Sequence, residues 1–184
     1  MDKLIISIAI EDVMFGMFVS VPPGYVGCIY SHSKGVLLKV LRPGLHLKLP
    51  FWHKAKLFNT QVQEYQIRNG FDIATSELGD AEIIAATTDL QNVIIEMTIL
   101  FHIDSENATQ LWQHIGDNYI EKIIRPTVRS RVRTIAAQYT ANDFFSSRRA
   151  EIEQKIHHEL MASLSTKGIV IVDALLGSIG HIPQ

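Results

Sequence analysis

Cys28 is the only cysteine in the 184-residue chain, and it is the first candidate for nucleophilic chemistry. A catalytic thiol needs a base such as histidine beside it, and the eight histidines are scattered along the sequence. Cys28 also lies within a predicted strand, where a free cysteine behaves as a small hydrophobic residue. His157 and His158 are adjacent, so on a helix their side chains diverge by about 100° and do not converge on one metal ion. A hydrolase that uses Cys28 or a buried histidine is therefore the less favoured alternative.

Four acidic residues fall close together: Asp72, Glu77, Asp80 and Glu82. Their carboxylates could bind a cation weakly, but their spacing does not match an EF-hand loop, so a solvated acidic loop is favoured. The sequence contains no GxxxxGK[ST], GxGxxG, GxSxG, HExxH or CxxC motif. We therefore predict no catalytic, cofactor-binding or metal-binding residues.

Three arginines recur every fourth residue, at Arg125, Arg129 and Arg133, and would line one face of a helix. Like charges at this spacing repel each other by a few tenths of a kcal/mol, about 0.2–0.5 per pair. The repulsion could be offset by acidic side chains of the same chain, by a neighbouring subunit or by an anionic surface. Nucleic acid is disfavoured, because no aromatic residues are interleaved and the net charge of the chain is −2. We predict that this face contacts a subunit or another partner.

Elements that could position these residues follow from composition and periodicity. Hydrophobic residues make up 47% of the chain and charged residues 20%, as in an ordinary folded domain. Within residues 1–20, the apolar runs LIISIAI and VMFGMFVSV are separated by Glu11 and Asp12. A spanning helix needs about 20 predominantly apolar residues. A buried strand or helix, a shallow membrane segment and a full span all remain open for this segment.

The first half of the chain predicts β-structure. The run LHLKL alternates with the period of a half-buried strand, placing Leu45, Leu47 and Leu49 on one face. Residues 69–80 predict a loop, and residues 81–88 and 92–103 flank a hairpin turn at 89–91. The remaining strands are predicted at 21–31 after a Pro-Pro-Gly turn, at 34–41 and at 55–67.

The second half predicts helices followed by a strand. Helices are predicted at 106–115, 117–139 and 148–167, and Pro126 should kink or break the second. The residues from Thr140 to Asp143 match a capping box, and Gly168 suits the left-handed position after a helix. A last strand is predicted at 168–179. The order indicates an α+β fold.

Together these segments resemble the SPFH superfamily, also called band 7 or PHB, which includes prohibitins, stomatins, flotillins and the bacterial HflK/HflC pair. The resemblance is carried by VPPGYVGCIY, RPGLHLKLPFW, TTDLQNVIIEMTILFHI, YIEKIIRPTVRSRVR, SRRAEIEQKIHHEL and KGIVIVDALLGSI. IYSHSKGV favours prohibitin-like members. The resemblance implies a β-rich first subdomain, then an α/β second subdomain with long helices. It implies three regions: a possible membrane anchor at 1–20, an SPFH domain at 21–180 and the start of a truncated C-terminal region at 181–184.

This sequence departs from the family pattern at three places. Glu11 and Asp12 interrupt the usual hydrophobic anchor, and the usual Asp-Gly turn is Asp89-Leu90. The chain stops at 184 where the family continues into a coiled coil, so we expect a fragment, a truncated form or an unusually short member.

The resemblance implies a non-enzymatic scaffold associated with a membrane. Such a protein would form homo- or hetero-oligomers of SPFH subunits, organise membrane microdomains and regulate partners such as a membrane protease. Phe51 and Trp52 with Lys54 and Lys56 would then contact lipid, with the aromatics at headgroup level and the cations toward phosphate. The alternative is that Phe51 and Trp52 close the β-core. A soluble adaptor that uses the arginine face on an acidic protein is the rival function.

Overall fold

The computed structural model describes residues 16–70 and 78–182, and within them the chain divides into two compact units. The first contains the chain up to Gln61 together with Ile103–Gly116, and the second contains Val62–His102 and the chain from Asp117. Residues 1–15, most of the predicted acidic loop (including Asp72 and Glu77) and residues 183–184 lie outside the described residues.

Among the described residues, the first unit contains β1 (Phe18–Val21), β2 (Tyr25–Ser31), β3 (Gly35–Leu41), β4 (Gly44–Leu47), β5 (His53–Asn59) and α1 (Ala108–His114). A three-stranded antiparallel sheet has the order β3-β2-β5, and a separate two-stranded sheet pairs β1 with β4. Val21, Ile29 and Leu41 form a buried cluster in this unit.

The prediction of one strand at 55–67 is wrong, because the chain passes from the first unit to the second within it. β5 ends at Asn59, and β6 (Gln63–Ile67) belongs to the second unit. The N–H and the hydroxyl of Thr60 both donate to the carbonyl of Gly24, at 2.8 and 2.9 Å. These bonds turn the backbone away from the extended path that the sequence pattern suggests.

The second unit adds the strands β7 (Gly79–Asp80), β8 (Ile83–Ala86), β9 (Asn92–Ile103) and β10 (Ile169–Ile182) to β6. They form a five-stranded sheet with β10-β9-β6-β7 in order and β8 paired with β9. In β9 every second residue is buried, as the alternation of apolar residues predicts. The predicted β8–β9 hairpin is confirmed, and Leu90 adopts a left-handed φ of 61° at its turn, where glycine would be unstrained.

Helical segments of the second unit follow the sequence signals closely. Pro126 has no N–H to donate, and the predicted helix divides there into a π-helical turn (Ile120–Ile124) and α2 (Arg125–Ala136). Thr140 and Asp143 form the predicted capping box on a 3₁₀ turn (Ala141–Phe145). α3 (Arg149–Leu164) is followed by a 3₁₀ turn (Ser165–Lys167), and Gly168 then takes the predicted left-handed conformation with φ 77°. The α+β class is confirmed.

Candidate membrane and subunit contact sites

The leucines of the LHLKL run lie on one face of β4 and the turn after it, but that face is exposed. The prediction that this strand is half-buried on its leucine side is therefore wrong. β4 pairs only with the four-residue β1 in its sheet, so that no layer of the described chain covers the leucines. Across this pair Phe18 lies opposite Leu47, and Phe18 is exposed as well. We call the exposed set the apolar patch: Phe18, Leu45, Leu47, Leu49, Phe51 and Trp52.

Phe51 and Trp52 extend this patch into the turn after β4. Phe51 is 81% exposed and Trp52 is 60% exposed, so neither side chain closes the β-core. Phe51 also has a left-handed φ of 66°, a conformation that costs a bulky residue energy. The turn is held by two backbone hydrogen bonds, from Trp52 N–H to the Pro50 carbonyl at 2.8 Å and from His53 N–H to the Leu49 carbonyl at 3.1 Å. The backbone thus holds two aromatic side chains in solvent.

Lys54 and Lys56 follow on β5 and are both exposed. They lie opposite Tyr30 and Cys28 of β2, so both lysines project from the same face of the three-stranded sheet. Their membrane contact stays a prediction, as does that of Phe51 and Trp52.

Arg125, Arg129 and Arg133 lie on one face of α2, as predicted, and each donates to a backbone carbonyl between Gly79 and Ile84. Arg125 donates to the Gly79 carbonyl at 3.4 Å, Arg129 to the Ala81 carbonyl at 3.1 Å, and Arg133 to the Ile84 carbonyl at 3.2 Å. We call these three residues the arginine ladder. The carboxylate of Asp80, in the same chain, pairs with Arg125 and Arg129 and so offsets part of the repulsion. A contact with a subunit or another partner stays a prediction.

Asp80 is the carboxylate at the centre of this arrangement. Its Oδ2 lies 2.9 Å from Nη1 of Arg129 and 3.3 Å from Nε of Arg125. The residue is buried, so its assignment to a solvated acidic loop is wrong. The sequence separations are 45 and 49 residues, and no local spacing signals such a contact.

Tyr65 is buried in the same unit, and burial raises the pKa of its phenol, which therefore stays neutral.

Cys28 is fully buried on β2, opposite Val40 and Lys56 on the neighbouring strands. Burial raises the pKa of its thiol to about 11 from an ordinary value of 9.0. Because the thiolate is the reactive form, the residue is poorly suited to nucleophilic attack at neutral pH. Its surroundings favour a structural role.

We expect a thiol reagent at pH 7.5 to label Cys28 very slowly in the folded chain and rapidly after denaturation in urea. The pKa is raised in the folded state, so the protonated thiol favours folding below pH 9, and this contribution is lost as the pH rises toward about 11. Two pKa units correspond to about 3 kcal/mol, which is an upper bound. Urea denaturation at pH 8 and pH 10.5 measures the loss, and Cys28→Ala should reduce the pH dependence. Rapid labelling of the folded chain would instead support the hydrolase alternative.

Residues 16–70 and 78–182 contain neither a metal-binding cluster nor a membrane-spanning helix. No cluster of three or more His, Cys, Asp or Glu in these ranges could hold a metal ion. Within the same ranges, no helix has the length and apolar character needed to cross a membrane.

Known proteins resemble this chain over most of its length. The family model for "SPFH domain / Band 7 family" matches residues 19–183. The chain is 26% identical over 177 residues to Prohibitin-1 of Saccharomyces cerevisiae, covering 96% of this chain and 55% of that protein. It is 22% identical over 157 residues to Prohibitin 1 of Gallus gallus, covering 85% of this chain and 52% of the relative. Prohibitin-1, mitochondrial, of Arabidopsis thaliana is 21% identical over 131 residues, covering 71% and 41%. The chain thus spans about half the length of the curated relatives that it matches.

Proposed function

Because the chain belongs to the SPFH domain / Band 7 family, we propose that it is a non-enzymatic, prohibitin-like scaffold associated with a membrane. Residues 21–180 form its SPFH domain, residues 1–20 add to membrane attachment, and residues 181–184 lead out of the domain. The scaffold assembles with SPFH subunits of the same or a different kind, organises a membrane microdomain and regulates partners such as a membrane protease.

The observation that carries this proposal is the apolar patch. Six large apolar side chains lie on two paired strands and the adjoining turn, and all six are exposed to solvent. Isolated exposed apolar residues are common, but a cluster of this size on one small sheet indicates an interaction surface. Aromatic residues near lysines are typical of the lipid–water interface. Phe51 and Trp52, together with Lys54 and Lys56, therefore fit a shallow insertion into anionic lipid.

The arginine ladder supports contact with an acidic partner subunit. Arg125 and Arg129 share the carboxylate of Asp80, Glu121 adds a second carboxylate 3.7 Å from Arg125, and Arg133 donates to the Ile84 carbonyl. One positive charge is thus in excess on this face. The side chains of Arg125 and Arg129 are each still 27% exposed, which leaves part of each guanidinium accessible to a neighbour.

Flotation with anionic vesicles tests the membrane assignment. We expect the unchanged chain to float with vesicles, and the variant Leu45→Ser with Leu47→Ser to remain largely in the dense fraction, because it loses apolar area from the patch. Leu90→Ser is the matched control, since Leu90 is 80% exposed but belongs to the other unit. Failure of the unchanged chain to float would favour the adaptor function, in which the arginine ladder binds an acidic protein.

A further inference from the structure

His53 directly follows the two exposed aromatic residues of the apolar patch and bonds back across their turn. Its Nδ1 accepts from the N–H of Leu49 at 3.3 Å, and its own N–H donates to the Leu49 carbonyl at 3.1 Å. We call these two bonds the His53 clamp, and they close the turn that carries Phe51 and Trp52. The residue is partly buried, and the ammonium of Lys48 donates to its carbonyl at 3.4 Å.

One bond of the His53 clamp exists only while the imidazole ring is neutral. A neutral ring has one nitrogen that accepts a hydrogen bond, whereas both nitrogens of the protonated ring donate. Protonation therefore sets an N–H at Nδ1 against the N–H of Leu49 and breaks that bond. Histidine is the side chain that ordinarily changes charge between pH 8 and pH 5. Mild acid can thus open one side of the clamp and place a positive charge next to Trp52.

His46 on β4 makes a bond that protonation leaves intact. Its Nε2 lies 2.6 Å from the carbonyl of Arg42. Because a carbonyl only accepts, this nitrogen carries a proton whether the ring is neutral or charged. Protonation of His46 therefore adds a charge without changing its bond, whereas protonation of His53 changes both.

The charged side chains of residues 16–61, which form the strands and turns around His53, are all positive at neutral pH. This range contains no aspartate or glutamate, and its cations are Lys34, Lys39, Arg42, Lys48, Lys54 and Lys56. His32 also titrates, and its N–H donates to the Trp52 carbonyl at 3.0 Å. Asp104 and Glu106 lie before α1. A proton on His53 thus adds a charge that residues 16–61 cannot neutralise.

We propose that His53 is a pH-sensitive switch in the candidate membrane site, and that its protonation strengthens binding to a membrane with negatively charged phosphates. The switch rests on the membrane attachment proposed above and adds its regulation. Protonated His53 releases the N–H of Leu49 and loosens the turn that holds Phe51 in its left-handed conformation. Lipid phosphates favour the charged ring in return, because coupling between two binding events is reciprocal. Acid and anionic lipid therefore act in the same direction.

Equilibrium binding to vesicles at pH 7.5 and pH 5.5 tests the switch. One set of vesicles contains phosphatidylglycerol with phosphatidylcholine, and the other contains phosphatidylcholine alone. Each positive charge near an anionic surface contributes about 1 kcal/mol, which is about fivefold in affinity. We expect the affinity of the unchanged chain for the anionic vesicles to rise at least about fivefold on acidification, and its affinity for the uncharged vesicles to stay constant.

Three variants identify the source of the rise. His53→Asn keeps an acceptor for the N–H of Leu49, because its Oδ1 takes the place of Nδ1, but it gains no proton, so about fivefold of the rise should be lost. His53→Lys has a fixed charge and no acceptor, so it should bind anionic vesicles about fivefold more tightly at pH 7.5. His158→Gln is the matched control, since His158 is exposed on α3 of the other unit, and its rise should equal that of the unchanged chain.

Nuclear magnetic resonance of the lipid-free chain follows the His53 clamp itself. The amide signal of Leu49 should titrate with the ring of His53 and stay constant in His53→Asn, and circular dichroism checks that each variant folds. An equal rise in His53→Asn and the unchanged chain, or a Leu49 amide that does not titrate, would overturn the switch and leave the membrane function standing. Absence of binding to anionic vesicles at both pH values would contradict the membrane function and the switch together.

Discussion

Asp80→Asn is expected to lower the free energy of unfolding by about 3 kcal/mol. The substitution keeps the shape of the side chain but removes the negative charge that faces Arg125 and Arg129. Both guanidiniums then lie near each other, partly buried, without their shared carboxylate. Breaking a buried pair costs about 3–5 kcal/mol, and the low end applies here because each arginine side chain is 27% exposed.

Urea denaturation followed by circular dichroism measures this loss. Glu159→Gln is the matched control, because it removes a carboxylate whose pair with Arg131 is long, at 3.7 Å, and largely exposed. An exposed pair of this kind contributes at most about 1 kcal/mol. A loss of under 1 kcal/mol for Asp80→Asn would show that the arginine ladder is held by its carbonyl contacts alone.

The double substitution Phe51→Ala with Trp52→Ala is expected to weaken binding to anionic vesicles by about a hundredfold. Burying two aromatic side chains in lipid contributes about 3 kcal/mol in all, which corresponds to two decades in affinity. Thermal stability should change little, since both side chains are exposed. Alanine at position 51 meets the same left-handed backbone as phenylalanine, so the strain there is retained.

Tryptophan fluorescence reports the insertion directly. Trp52 emission should shift to the blue when anionic vesicles are added, and Trp112→Phe removes the other source of signal. Trp112 packs edge-to-face on Phe58 with ring centroids 6.2 Å apart, a contact that phenylalanine can partly keep. A large drop in melting temperature for the double variant, together with no vesicle-dependent shift, would contradict the membrane assignment.

Segments whose structure depends on neighbouring residues could be predicted from the sequence. The four buried residues of α3 recur at i+4, and one helical turn brings them onto one face. The capping box at Thr140 and Asp143 and the left-handed Gly168 also follow from local backbone geometry. The order of these elements predicted the α+β class, and the sequence runs within them carried the family resemblance.

Contacts between distant residues could not be predicted in the same way. The sequence aligned the arginine ladder on one face, but only the folded chain brings Asp80 to it, because the contact depends on how β7 lies beside α2. The break between β5 and β6 likewise depends on the bonds from Thr60 to Gly24, which is 36 residues away. Hydrogen bonds of Arg149 and Glu153 likewise join α3 to backbone groups of β10 that lie 23 to 28 positions later in the chain.

The candidate membrane site shows most clearly which features the sequence determines and which the tertiary structure decides. By itself the sequence determined that Leu45, Leu47 and Leu49 share a face and that Phe51 and Trp52 follow in a turn after Pro50. A period of two says which side chains lie together, but not whether another layer covers them. Only the tertiary structure decided that this face is exposed, because β4 pairs with the short β1 in a two-stranded sheet and not within the larger sheet of its unit.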